Sequence, residues 1–88
     1  MKRFKRASSV LSKKIQNGWV VLEKNANYYR ELNDVASILW SVLQTPRSLQ
    51  ELTQTVVKTF DVDTAAAEKD ISIFIKKYVC NGFLEEVS

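Results

Sequence analysis

Groups able to do covalent chemistry are scarce in this sequence. Histidine is absent, which removes the commonest general base and the commonest metal ligand at neutral pH. Ser9 stands four residues before Lys13 and Ser12 two before Lys14. Both pairs fall in a short candidate strand, and a serine nucleophile needs a base held within hydrogen-bond reach. Cys80 is the only cysteine. It can form no internal disulfide, it lacks the partners of a zinc site, and its only nearby activating groups are lysines one turn away. Gly18 and Gly82 are the only glycines and lie too far apart for a phosphate-binding loop. An enzyme is therefore the least expected class, no cofactor is implied, and a binding module is expected.

Two features carry binding chemistry. The first is Tyr28, Tyr29, Arg30, Glu31 and Leu32, a strand-like run without proline. As the last strand of a small sheet it would expose unpaired N–H and C=O groups, guarded only by Arg30 and Glu31. Such an edge can accept an extended peptide as an added strand, or it can be an ordinary protected edge. The second lies on the last helix, where Lys69, Ile73, Lys76 and Cys80 fall together opposite the apolar stripe and Lys77 stands at their border. Apolar contacts among ammonium groups suit an amphipathic, acidic peptide. The plainer alternative is a solvated face with a stray isoleucine.

The elements that would position these residues follow from pattern. With 88 residues the chain makes one small domain. No apolar run approaches the ~18–20 residues of a membrane span, and no apolar stretch of signal-peptide length follows the basic start. A cytoplasmic protein without a membrane partner is expected. Residues 1–14 carry six basic residues and no acid, whereas residues 15–88 carry seven basic and ten acidic ones. Residues 1–8 are expected to form a basic arm, a solvated tail in the plainer reading, and residues 9–88 a single peptide-recognition domain.

Ser9–Ile15 reads as a weak strand. Asn17-Gly18 is a strong type I′ hairpin signal, Trp19–Glu23 a strand, residues 24–27 a turn, and Tyr28–Leu32 the third strand. Both faces of Trp19–Leu22 are apolar, so the N-terminal segment or the C-terminal tail is expected to cover one, unless a second protein docks there. Asn33 or Asp34 caps a helix with stripe Val35, Ile38, Leu39, Val42 and Leu43, Trp40 lying off it. Ser48 and Glu51 form a capping box for a helix burying Leu49, Leu52, Val56, Val57 and Phe60. Asp63 or Thr64 starts a third, burying Ile71, Phe74, Ile75, Tyr78 and Val79 and stopped at Gly82. The fold expected is α+β: a three-stranded antiparallel meander followed by three helices, winged helix-turn-helix-like, with an extended tail over Phe83–Val87.

From Gly18 to Glu86 this order resembles the PqqD-like family, the RiPP recognition elements. The resemblance is carried by an apolar strand (Trp19–Leu22), a Tyr-rich strand ending in Leu-Asn (Tyr28–Asn33), and a helix with Val-Ala and an Ile-Leu-Trp segment (Val35–Trp40). A capped Ser-Leu-x-Glu-Leu start (Ser48–Leu52), a Phe-Asp-Val-Asp link (Phe60–Asp63), a long helix (Ala65–Val79) and a Gly-hydrophobic-Leu ending (Gly82–Leu84) complete it. One departure is that Arg30 and Glu31 both stand between the tyrosine pair and Leu32-Asn33, where the commoner form has one residue. The resemblance implies a non-catalytic adaptor that binds the leader of a ribosomally made precursor peptide, by strand addition beside the third helix. It would present that leader to a separate maturation enzyme. A free-standing form resembles two subgroups, the lasso-peptide type, whose partner is a leader peptidase, and the PqqD-type chaperone of radical-enzyme pathways; the Tyr28-Tyr29 strand, Asn33 after Leu32 and the Ile38-Leu39-Trp40 segment favour the lasso type. The competing reading is a winged-helix DNA-binding protein. The last helix has three lysines but no arginine or glutamine to read base edges, and Glu68 and Asp70 in its first turns, so nucleic acid is a poor partner.

Overall fold

The computed structural model describes residues 2–23 and 27–87. Five strands and three helices follow in the order β1 (Arg3–Arg6), β2 (Ser12–Ile15), β3 (Gly18–Glu23), β4 (Tyr28–Glu31), α1 (Asp34–Val42), α2 (Leu49–Phe60), α3 (Thr64–Cys80) and β5 (Leu84–Val87). β2, β3 and β4 form the expected antiparallel meander, with β3 central and β4 at an edge. Of the turn expected over residues 24–27, only Asn27 lies within the described residues. It takes a left-handed φ of 56°, which asparagine tolerates.

The helices begin where short polar side chains satisfy free N–H groups. Asn33 Oδ1 accepts from Ala36 N at 2.8 Å. Ser48 Oγ accepts from Glu51 N, and Glu51 Oε1 accepts from Ser48 N at 2.9 Å, a complete capping box. Asp63 accepts from Ala66 N. At the end of α3, Gly82 N donates to Val79 O and Phe83 N to Tyr78 O, with Gly82 at φ 80°. This is a Schellman ending, whose left-handed residue is usually glycine.

Several expectations are corrected. Residues 3–6 are not a solvated tail. β1 pairs with β5 from Arg3–Val87 to Arg6–Leu84, and Phe4 enters the core. The pairing joins residues some eighty positions apart and leaves no local pattern in the sequence. Nor do these segments cover the outer face of the meander. Phe4 pairs with Arg47, Arg6 N donates to Leu43 O, and the Arg6 guanidinium lies over the rings of Trp19 and Trp40, all on the helical side.

The hairpin turn consists of Gln16 and Asn17, since Ile15 pairs with Gly18. Asn17 is not among the residues with positive φ, so the type I′ expectation for Asn17-Gly18 fails. Gly18 is needed for another reason. A Cβ placed on it would stand 2.6 Å from Ser37 Oγ. That hydroxyl, buried in α1, accepts from Trp19 N at 3.1 Å and donates to Leu32 O at 3.2 Å. It thereby joins the start of β3, the end of β4 and the helix.

α1 is also rotated from the expected phase. Ala36, Leu39, Trp40 and Leu43 are buried, whereas Val35 is exposed and Ile38 and Val42 are half-buried. The large indole takes the centre, because burying it removes more apolar surface than a valine can. On α3, Ala67, Ile71, Ile75 and Tyr78 are buried, Phe74 is half-buried, and Val79 is exposed.

Candidate peptide-binding site

β4 leaves one side of its backbone open. Leu32 N donates to Trp19 O at 2.9 Å, so Leu32 faces β3. In an antiparallel pair the inward-facing residues alternate. Arg30, opposite Val21, and Tyr28, opposite Glu23, therefore also turn their N–H and C=O groups towards β3. Tyr29 and Glu31 turn theirs to the open side. The extra residue between the tyrosines and Leu32 thus leaves Tyr29 and Glu31 as the edge residues and Arg30 as a ladder residue.

Side chains divide in the same way. Directly opposed residues share a face, so Arg30 lies on the face of fully buried Val21, together with Leu32 and Glu23. Arg30 Nη2 is 2.6 Å from Glu23 Oε1, an ion pair without hydrogen-bond alignment that offsets the burial of that carboxylate oxygen. Tyr29, 48% exposed, and Glu31 lie on the outer face with half-buried Val20 and Leu22.

α3 stands on the inner side. Tyr78 is buried at the point where the charges of Arg30 and Glu23 reach it, and burial pushes its hydroxyl pKa up, so the phenol stays neutral and can donate. Phe74 stacks on Tyr78 with centroids 4.0 Å apart. Tyr78 and Phe74 therefore mark the flank of α3 turned towards Arg30 and Glu23. At ~100° per residue, Lys77 and then Ile73 continue round the helix from Phe74, away from the core. Ile73 is 57% exposed.

The other lysine-face residues diverge. Lys76 and Cys80 lie on the opposite flank of α3, where they line a groove with Phe4, Leu49 and Glu86. Lys69 lies outermost and exposed. The single face expected for Lys69, Ile73, Lys76, Lys77 and Cys80 is thus split by the helix crest, with Ile73 and Lys77 on the side of Tyr28–Leu32. Tyr78 is a core residue, as its place in the apolar stripe indicates, and half-buried Phe74 packs against that core at the border of the stripe. The sequence pattern does not say on which flank the sheet stands.

Among the described residues no cluster of three His, Cys, Asp or Glu side chains could hold a metal, and no helix is long and apolar enough to cross a membrane.

Comparison with known proteins gives one family, "Coenzyme PQQ synthesis protein D (PqqD)", matched over residues 18–84. No curated protein matches. Among solved structures, TbiB1 in complex with the TbiA(beta) leader peptide superposes with a TM-score of 0.80 at 26% identity, over 92% of this chain and 94% of that one. A lasso peptide synthetase B1 complexed with its leader peptide gives 0.76 at 23% identity, over 93% and 96%. The PqqD truncation of Methylobacterium extorquens PqqCD, a stand-alone RiPP recognition element, gives 0.73 at 20% identity, over 94% and 88%.

Proposed function

The chain belongs to the PqqD family, and we propose that it is a non-catalytic adaptor that takes up the leader segment of a ribosomally synthesised precursor peptide and presents it to a separate maturation enzyme in the cytoplasm. The observation that carries this reading is the open edge of β4. Tyr29 and Glu31 offer outward N–H and C=O groups, and the stacked Phe74 and Tyr78 lie on the flank of α3 turned towards the same strand pair. A leader strand would pair with that edge. Its side chains on the inner face would meet Phe74, Lys77 and Ile73, where an aliphatic anchor and an acidic neighbour both find complements.

The lasso-peptide setting, with a leader peptidase as the enzyme, is supported by the likeness to TbiB1 and a lasso peptide synthetase B1, whose structures hold leader peptides. A PqqD-type role in a radical-enzyme pathway is the second reading, supported by the likeness to the Methylobacterium extorquens domain. Fluorescence-anisotropy titration with leader peptides encoded beside this gene tests the proposal, and a panel of lasso and radical-pathway leaders separates the two settings. Absence of binding to every leader, or tight DNA binding with a steep salt slope, would overturn it.

A further inference from the structure

An adaptor must hold two partners at once, and the molecule has a second concave surface on the far side of α3 from β4. This groove of about 630 Å³ runs between α3, the start of α2 and the β1–β5 pair, within the ~300–1,000 Å³ range of ligand sites. Its floor is apolar: Phe4, half-buried Leu49, Ile75 and Val79, the last 38% exposed. Lys2 and Lys76 stand on its rim against the single carboxylate of Glu86. Around α3 the groove is centred about 150° from the Tyr78–Phe74 flank by helical geometry, so a strand added to β4 leaves it uncovered.

We infer that this groove is the docking site for the maturation enzyme. It would receive an apolar side chain flanked by carboxylates on that enzyme's surface. The occupant follows from charge: two ammonium groups against one carboxylate favour an acidic segment, and the apolar floor needs a hydrophobic anchor to displace its water. The inference rests on the adaptor reading, and it adds the surface through which the second partner is held.

Cys80 lines the groove, is exposed and is the only cysteine, so a maleimide adduct can block the groove at one position. Affinity is measured for the leader peptide and, separately and without leader, for the leader-processing enzyme encoded beside this chain. The Cys80 adduct, Val79→Glu and Lys76→Glu should each weaken enzyme binding at least tenfold and leave leader affinity within twofold. Thermal midpoints identify any variant that fails to fold, and the exposed Lys76 and the adduct then carry the test. Unchanged enzyme affinity in all three, or no enzyme binding by the parent, overturns the inference. So does equal loss of leader and enzyme binding, because the two surfaces would then not be separate. Self-association of the parent that Val79→Glu abolishes would mean that a second copy fills the groove, which also overturns it. Parent protein that binds the enzyme but no leader would instead refute the leader reading while leaving the groove assignment standing.

Discussion

The Arg6 guanidinium closes the end of α1 through one acceptor, the Trp40 carbonyl, to which Nε donates at 2.9 Å and Nη2 at 2.7 Å. The same group lies 5.0 Å from the Trp40 ring centroid and 4.6 Å from that of Trp19. α1 has no basic residue in its last turn, so a cation from β1 provides the positive charge that a helix C-terminus favours. Burial lowers the pKa of Arg6, and an arginine stays protonated there.

This arrangement should not tolerate lysine. An ammonium group keeps the charge but cannot donate through a planar fork. Arg6→Lys is expected to cost about 1 kcal/mol and Arg6→Ala about 2, on the scale of charged hydrogen bonds and cation–π contacts. For a domain of this size each kcal/mol lowers the thermal midpoint by ~4–8 °C. Equal midpoints for parent and Arg6→Ala would show that β1 contributes nothing through this residue.

Gly18 and Ser37 should be energetically coupled. Gly18→Ala forces its new methyl against Ser37 Oγ and should destabilise by ~1–3 kcal/mol, the usual cost of overpacking. Ser37→Ala removes that oxygen, so Gly18→Ala should cost clearly less in its background. Additive effects in urea denaturation of the four-member cycle would argue against direct contact.

Proline scanning of β4 should alternate. Glu31→Pro removes an outward N–H and should weaken leader binding at least tenfold, about 1.4 kcal/mol, with a small change in midpoint. Arg30→Pro removes a donor of the β3–β4 ladder and the partner of Glu23, so it should lower stability instead. Anisotropy and thermal melts on both variants read the two effects separately. If Glu31→Pro is folded and binds as the parent does, strand addition is refuted.

The two adjacent lysines of α3 should differ. Lys77→Gln should lower leader affinity and flatten its salt dependence, because Lys77 stands on the β4 side. Lys76→Gln should leave leader binding nearly unchanged. Ile73→Ala should cost leader binding roughly 1 kcal/mol and shift stability by less than ~0.5 kcal/mol, as exposed positions usually do. Salt titrations that cannot tell Lys76 from Lys77 would contradict the division of α3 into two flanks.

Acid should weaken the start of α2. Glu51 accepts from Ser48 N and pairs with Arg3 at 3.2 Å. The backbone hydrogen bond from Ser48 chiefly holds its pKa below the ordinary carboxylate value, against an opposing desolvation and with the charge of Arg3 adding to the lowering. A depressed folded-state pKa contributes stability that is present above the unfolded value and lost as pH falls through the folded one. Glu51→Gln should therefore be less stable than the parent at neutral pH and should converge with it in acid. A constant difference across pH would assign the effect to shape rather than charge.

Local signals were legible and long-range ones were not. Asn33, Ser48 with Glu51, Asp63 and Gly82 marked helix ends because each acts within a few residues of itself. Tyr28–Leu32 was recognisable as an edge because short links force a meander. The β1–β5 pair left no trace, since its partners are distant and its residues are mostly charged. A periodicity count misses the phase of α1 because it weighs Val35 and Trp40 alike, whereas packing does not. The lysine face of α3 could be drawn on a helical wheel, but dividing it between two grooves required knowing where β4 and β5 stand.

The pairing of Arg3 with Val87 has a further consequence. It sets the beginning and end of the described chain side by side, within the ~5 Å spacing of paired strand residues. A host protein could carry this domain in one of its surface loops with little displacement of its own backbone, because the guest leaves almost where it enters. The β4 edge belongs to the separate β2–β3–β4 sheet, so splicing at the β1–β5 pair would leave it open for a peptide. The same module is thus suited to work as a detached carrier or as a cassette inside an enzyme, without rearranging its fold.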